Sequence, residues 1–254
     1  MEAMRGAVRC VLVVLGIAAM AMAGSGNASL ASVASPTAIF NGATVQPRPG
    51  EVVGVAQPVT VTFAKPIADR SAAERSITIT SPRDATGHFN WVKADVVQWI
   101  PDKFWPAHSK VTVMAAGAPT QFETGAAVVG VADISEHTFA VSIDEQIVRQ
   151  MPASMGKPKY PTPVGSFTAL EKQRTVVMDS RTIGIPLSSP DGYRITADYG
   201  VRVTWGGVYV HSAPWSVGSQ GNANVSHGCI NLSPDNAAWY FDTVSVGDPI
   251  IVQS

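Results

Sequence analysis

Cysteine is nearly missing: the 254 residues contain two, Cys10 and Cys229. Cys10 falls in an N-terminal stretch that reads as a removable leader, so Cys229 has no internal partner for a disulfide. This excludes an antibody-type sandwich pinned by a cysteine pair. An unpaired cysteine in an exported protein points to a reactive thiol or an intermolecular bond. The plainer alternative is a buried thiol acting as a small hydrophobe. Charge is sparse too, at 15% of residues with a net charge of −1. No basic run occurs, so the electrostatic footprint of a nucleic-acid binder is lacking. Neither C-x-x-C nor H-E-x-x-H spacing is found, which removes the commonest zinc signatures.

What is present starts with Arg5 and Arg9, followed by an uncharged apolar run from Cys10 to Ala23 that closes on Ala21-Met22-Ala23. A positive start, an apolar middle and a small-x-small end predict a signal peptide over residues 1–23 and export to the periplasm or cell wall. The run is shorter than the roughly 20 residues of a spanning helix, so a retained membrane anchor is the weaker alternative. Without Arg5, Arg9 and Glu2, sixteen basic and eighteen acidic side chains remain. Residues 24–36 are small and polar, as in a flexible tether.

Residues 37–124 alternate in short runs, such as Val59-Thr60-Val61-Thr62-Phe63, Ser76–Thr80 and Lys110–Met114, separated by proline-rich breaks. That pattern predicts a small β-sandwich with Trp91, Trp99 and Trp105 as packing residues. His88 and His108 read as ordinary surface histidines.

A second β-rich domain is predicted over residues 125–254. Thr138–Ile143 and Glu145–Gln150 read as a hairpin, and the prolines around Tyr160–Gly165 demand a rigid loop. Ser180 to Tyr199 reads as a long turn-rich lid carrying Tyr193. Val201–Trp205 and Val208–His211 read as two strand pieces joined across Gly206-Gly207, a bulge or a point of close backbone approach. Ser233 as N-cap and Pro234 at the first helical position predict one short helix to about Thr243, then a last strand over Ile250–Val252. The fold class is therefore mainly β throughout.

Ser226-His227-Gly228-Cys229, followed by Ile230-Asn231, is the densest cluster of chemistry in the chain. A thiol of ordinary pKa about 8.5 needs a nearby base to act as a nucleophile near neutrality. His211 and His227 are candidates, and the carbonyl of Ser212 is placed to orient His211. The N–H groups of Gly228 and Cys229, with the His227 ring, are candidates for an oxyanion hole. Zinc held by His211, His227 and Cys229 is the competing reading, though a two-residue spacing chelates awkwardly.

Val210-His211-Ser212-Ala213-Pro214-Trp215 followed by Ser226-His227-Gly228-Cys229-Ile230-Asn231 resembles the active-site signature of the YkuD-type L,D-transpeptidases. With an export segment and a bacterial immunoglobulin-like (Ig-like) module ahead of it, the whole chain resembles the two-domain members from actinobacteria. The resemblance implies peptidoglycan acyl transfer. Cys229 would attack a stem tetrapeptide at diaminopimelate and expel D-alanine, and a second stem would resolve the thioester into a 3-3 cross-link. It further implies His211 as base and acid, Ser212 as its orienting partner, and His227 and Gly228 in the oxyanion region. Tyr193, Gly206, Gly207, Asn231, Met178, Trp215 and Ser226 become substrate contacts, and carbapenem β-lactams become covalent inhibitors. No cofactor or metal is implied. Ile183 stands where a close relative would carry a second flap tyrosine, and the C-terminal extension of longer members is lacking. An L,D-carboxypeptidase using water, or a wall-binding scaffold with an inert site, are the alternatives. A papain-like protease is disfavoured because its nucleophile precedes its histidine along the chain.

Overall fold

The first module is built from short strands whose inward residues are valines. In the computed structural model, residues 42–115 and 117–254 are described. The expected leader, the tether and the first residues of the sandwich lie outside the described residues. One sheet has the order β1 (Thr44–Gln46), β3 (Val59–Thr62), β6 (Val96–Pro101), β5 (Gly87–Lys93). Facing it is the order β2 (Val52–Val53), β8 (Ala118–Thr124), β7 (Lys110–Ala115), β4 (Thr78–Thr80). In β3 both valines are buried and both threonines are partly exposed, the period of two that the sequence displays. Trp99 and Trp105 stack at 5.3 Å in this core, with Phe122 edge-on to Trp105.

The alternation hides one element. Helix α1 (Arg70–Arg75) interrupts the strands, capped by the Asp69 side chain, which accepts from the Ala72 N–H at 2.9 Å. The expected strand from Ser76 begins only at Thr78, because Ser76 closes this helix.

The second module holds two further sheets. One has the order β11 (Gln146–Pro152), β10 (Thr138–Ile143), β9 (Val128–Asp133), β17 (Pro249–Gln253), β12 (Gly165–Thr168). The other runs β13 (Glu171–Asp179), β14 (Arg194–Arg202), β15 (Tyr209–Ser212), β16 (Ile230–Leu232). Helix α2 (Pro234–Thr243) packs on β14 and β15, and its Tyr240 ring meets Phe139 edge-on at 4.8 Å. Ser233 stands at the N-cap as expected, but its hydroxyl makes no capping bond; Pro234 and Asp235 mark the helix start instead. The β10–β11 hairpin turns through Asp144 and Glu145, both at positive φ (46° and 71°), which suits the twist of the flanking strands.

Two expectations shift. The irregular lid spans 180–193 rather than reaching Tyr199, because Ile195 and Ala197 point inward along β14 and pair it to β13. Gly206-Gly207 lies in a tight turn from β14 to β15, not in a bulge: Val203 N–H donates to Val208 O at 2.8 Å, and Gly207 sits at φ 101°.

The modules meet backbone to backbone. Gly54 N–H donates to Val246 O at 2.9 Å and Ala56 N–H to Gly247 O at 2.8 Å. A Cβ on Gly54 would lie 2.1 Å from Asp248 N and 2.2 Å from Gly247 C. Gly54→Ala is therefore expected to destabilise the junction by about 1–3 kcal/mol, the usual cost of forcing extra atoms into a packed site. Thermal denaturation checks it, and an unchanged Tm would mean the junction yields without cost.

Candidate active site

A parallel strand pair brings Cys229 and His211 to one cavity. β15 and β16 run in register with His211 opposite Asn231, and Val210 opposite Ile230. Cys229 immediately precedes β16, two residues before Asn231 and so on the same face. Neighbouring strands lie about 4.8 Å apart, so Cys229 stands diagonally across from His211. Both side chains line one cavity of about 380 Å³, together with Asn231, His227, Tyr193 and Trp215.

His211 is 2% exposed, and its Nδ1 lies 2.8 Å from Ser212 O. A carbonyl only accepts, so Nδ1 carries the proton and Nε2 keeps a lone pair. Burial lowers the His211 pKa to about 4, against a smaller upward pull from the Ser212 bond. Burial pushes the Cys229 thiol up to about 11 despite a hydrogen bond from the Tyr209 backbone. At neutral pH the cavity thus holds a protonated thiol and a neutral imidazole rather than a preformed ion pair. The Cys229 sulfur also lies 3.7 Å from Gly207 O, so the tight turn after β14 closes over it.

The turn that carries the thiol is fixed from several sides. Gly228 sits at φ 114°, a conformation side chains resist. Ser226 Oγ accepts from Gly228 N–H at 3.1 Å and donates to Cys229 O at 2.6 Å. Ser226 therefore braces the turn even though it lines the cavity, and the Gly228 N–H is already engaged, unlike the free oxyanion donor its position suggests. The Gly228 carbonyl accepts from Thr162 Oγ1 at 2.8 Å, and the same hydroxyl accepts from Gly156 N–H at 2.9 Å. Thr162 is 2% exposed inside the proline loop, so that loop is a brace for the turn that carries Cys229. The signal was a single threonine between two prolines, and its partner is 66 residues away.

Asn231 is 3% exposed; its Nδ2 donates to Ser216 Oγ at 3.1 Å, while its buried Oδ1 has no partner among the described residues. A buried acceptor left open on the cavity wall suits a substrate N–H. Trp215 stands at the rim, 53% exposed, its ring 6.0 Å from His211. Tyr193 is held at the base of the flap, its N–H donating to Ser180 Oγ at 3.0 Å. Burial raises its phenol to about 12, so it stays protonated.

Met178 and Tyr193 also line a second cavity of about 320 Å³, with Ile183, Gly206 and Gly207 on its wall. The flap thus roofs two spaces that share two side chains. Among the described residues no group of three His, Cys, Asp or Glu side chains is arranged to hold a metal. Asp191, Lys157 and Tyr160, which sequence reasoning passed over, contact each other beside His227.

The pattern of an L,D-transpeptidase catalytic domain matches residues 127–252, and that of a bacterial Ig domain matches residues 18–118. L,D-transpeptidase 1 of Mycobacterium tuberculosis is 60% identical over 249 residues, covering 98% of this chain and 99% of that protein. The chain belongs to the L,D-transpeptidases. As an L,D-transpeptidase it is an acyltransferase of peptidoglycan, carrying the Ig-like module ahead of the YkuD-type catalytic domain. A solved L,D-transpeptidase from Mycobacterium smegmatis superposes with a TM-score of 0.80 at 66% identity, over 83% of this chain and 97% of that one. A related L,D-transpeptidase in complex with imipenem superposes equally, at 0.80 and 65% identity, over 82% of this chain and 97% of that one.

Proposed function

We propose that this L,D-transpeptidase forms 3-3 cross-links between diaminopimelate residues through a thioester on Cys229. The observation that carries the reading is the neutral His211, its Nδ1 tied to Ser212 O and its Nε2 left open on the cavity that Cys229 lines. Sγ attacks the carbonyl of the third stem residue as its proton passes to His211 Nε2. The peptide bond to the terminal D-alanine breaks, and Nε2 returns that proton to the leaving amine. The side-chain amine of a second stem then attacks the thioester and gives a proton to Nε2; the carbon–sulfur bond breaks, and Nε2 passes that proton to the departing sulfur, restoring the Cys229 thiol and the neutral imidazole. The cavity that Cys229 lines shares Tyr193 and Met178 with a second one, which gives room for both a donor and an acceptor.

The oxyanion is assigned to the Cys229 N–H and the His227 side, since Gly228 N–H is held by Ser226. Imipenem is expected to acylate Cys229 by the same attack. Export to the cell wall, where this substrate lies, follows from the N-terminal segment of the sequence.

Residues 24–254, as wild type and as Cys229→Ala, are incubated with a purified disaccharide tetrapeptide and the products weighed by mass spectrometry. A cysteine-dependent dimer lacking one D-alanine supports cross-linking. Tripeptide alone would replace the acceptor amine with water and make the enzyme an L,D-carboxypeptidase. No product from folded wild type would overturn both.

A further inference from the structure

Asp191 lies on the flap two residues before Tyr193, and its carboxylate gathers four groups from outside the flap. Lys157 Nζ is 2.6 Å from Oδ1, Lys159 Nζ is 2.7 Å from Oδ2, and Tyr160 OH is 3.3 Å from Oδ2. The fourth is His227, whose Nε2 stands 3.7 Å from Asp191 Oδ1, just beyond hydrogen-bond length. That nitrogen is buried and has no hydrogen-bond partner among the described residues. The His227 ring is itself packed against two tyrosines, Tyr160 at 4.9 Å and 29° and Tyr193 at 4.9 Å and 50°. Both lysine ammoniums also sit 5.3 Å from the centre of the Tyr160 ring. One carboxylate therefore ties the flap to the proline loop and faces the open nitrogen of the histidine next to the catalytic turn.

We infer that Asp191 is a positioning residue, which latches the flap over Cys229 and takes the Nε2–H of His227 when the flap settles on substrate. The inference rests on the proposed role of His227 beside the oxyanion. A carboxylate cannot donate, so it selects the Nε2–H form of the ring and fixes its plane. Closing 3.7 Å to hydrogen-bond length needs a flap movement below about 1 Å, small against ordinary loop motion. The two lysines hold the Asp191 carboxyl well below the usual carboxylate range, so the latch is charged at neutral pH. The groups facing it are Lys157, Lys159, Tyr160 and His227, and its nearest titratable flap neighbour is Tyr193. Asp191 touches no reacting atom. It acts through His227 and the flap, and a misplacement of this size costs rate rather than affinity.

The test compares wild type with Asp191→Asn and Asp191→Glu, reading turnover of the disaccharide tetrapeptide, imipenem acylation of Cys229, melting temperature, and the His227 ring nitrogens by NMR. Asp191→Asn keeps the shape and loses the charge. It is expected to lower kcat about 10- to 100-fold with KM within about threefold, while Asp191→Glu restores part of the loss. The His227 titration should move in Asp191→Asn and that of His211 should not. Wild-type kcat in Asp191→Asn would overturn the inference, as would a loss tracking only a lowered melting temperature, or an unmoved His227 titration. If wild type itself makes no cross-link, the cross-linking proposal fails, and the His227 titration still decides the role of Asp191.

Discussion

Cys229→Ser is expected to be as inactive as Cys229→Ala, with turnover down at least about 10⁴-fold and no covalent adduct with imipenem by mass spectrometry. A serine keeps the shape, a nucleophilic oxygen and the neighbouring histidine, so many sites would tolerate the exchange in part. This one should not. Burial has lowered His211 to about 4, which makes it a weak base, and the resting proton stays on the nucleophile. Attack works because sulfur is intrinsically nucleophilic and gives up its proton as the bond to carbon forms. An alcohol is a far weaker acid than a thiol, and His211 at about 4 is too weak to make up the difference. The cavity around the nucleophile offers no compensation, since its wall is mostly apolar: Met178, Ile195, Trp215 and Val225 all line it. Measurable cross-linking by Cys229→Ser would show that substrate binding raises the basicity of His211 much further than its buried setting implies.

How the site is assembled explains what could be read from the chain beforehand. The thiol, both histidines and the Ser212 carbonyl were visible because they sit in two short segments, 211–212 and 226–229, whose chemistry is local. His211 bonds the very next residue, and Ser226 bonds Gly228 and Cys229 within its own turn. Helix α2 was legible for the same reason, its start being marked by Pro234 and Asp235.

What joins the segments was not legible. The parallel pairing of β15 with β16 links residues about twenty positions apart, and nothing in either strand's alternation declares parallel rather than antiparallel order. The brace from Thr162 to Gly228 and the latch from Asp191 to Lys157 are contacts between loops, where no periodicity exists to be read. Helix α1 is hidden because six residues between strands are too few to show a 3.6-residue period; its one sequence mark is the capping Asp69. Ser226 shows a further side of this: its place on the cavity wall beside Cys229 is legible from the motif, whereas its bracing of the turn, donating to Cys229 O and accepting from Gly228 N–H, is not.

The pH dependence should report His211 directly. For a free imidazole, activity would fall as pH drops through 6.5. Here kcat/KM is expected to remain level through that value and to decline only towards about 4, because Nε2 keeps its lone pair until then. His211→Gln should remove that limb and lower kcat/KM about 10²- to 10⁴-fold, the usual worth of general base catalysis. The same burial has a cost in stability, and its sign is fixed by linkage. The His211 pKa is 6.5 in the unfolded chain and about 4 when folded, so the unfolded chain binds the proton more readily. Its contribution is fully present above 6.5 and is lost as pH falls from there towards 4, up to about 3 kcal/mol in all. Asp248 at the module junction works the other way: burial raises its carboxyl to about 7, so its contribution is present at acid pH and is lost as pH rises through 7. The two oppose each other between about 4 and 6.5, and the stability profile of the whole enzyme is flatter there than either group alone would make it. Urea denaturation at several pH values separates them, since Asp248→Asn should expose the acid loss due to His211. An acid limb of kcat/KM near 6.5 in the wild type would mean that His211 is solvated in the working enzyme, and that the sealed, neutral pair is not the state that meets substrate.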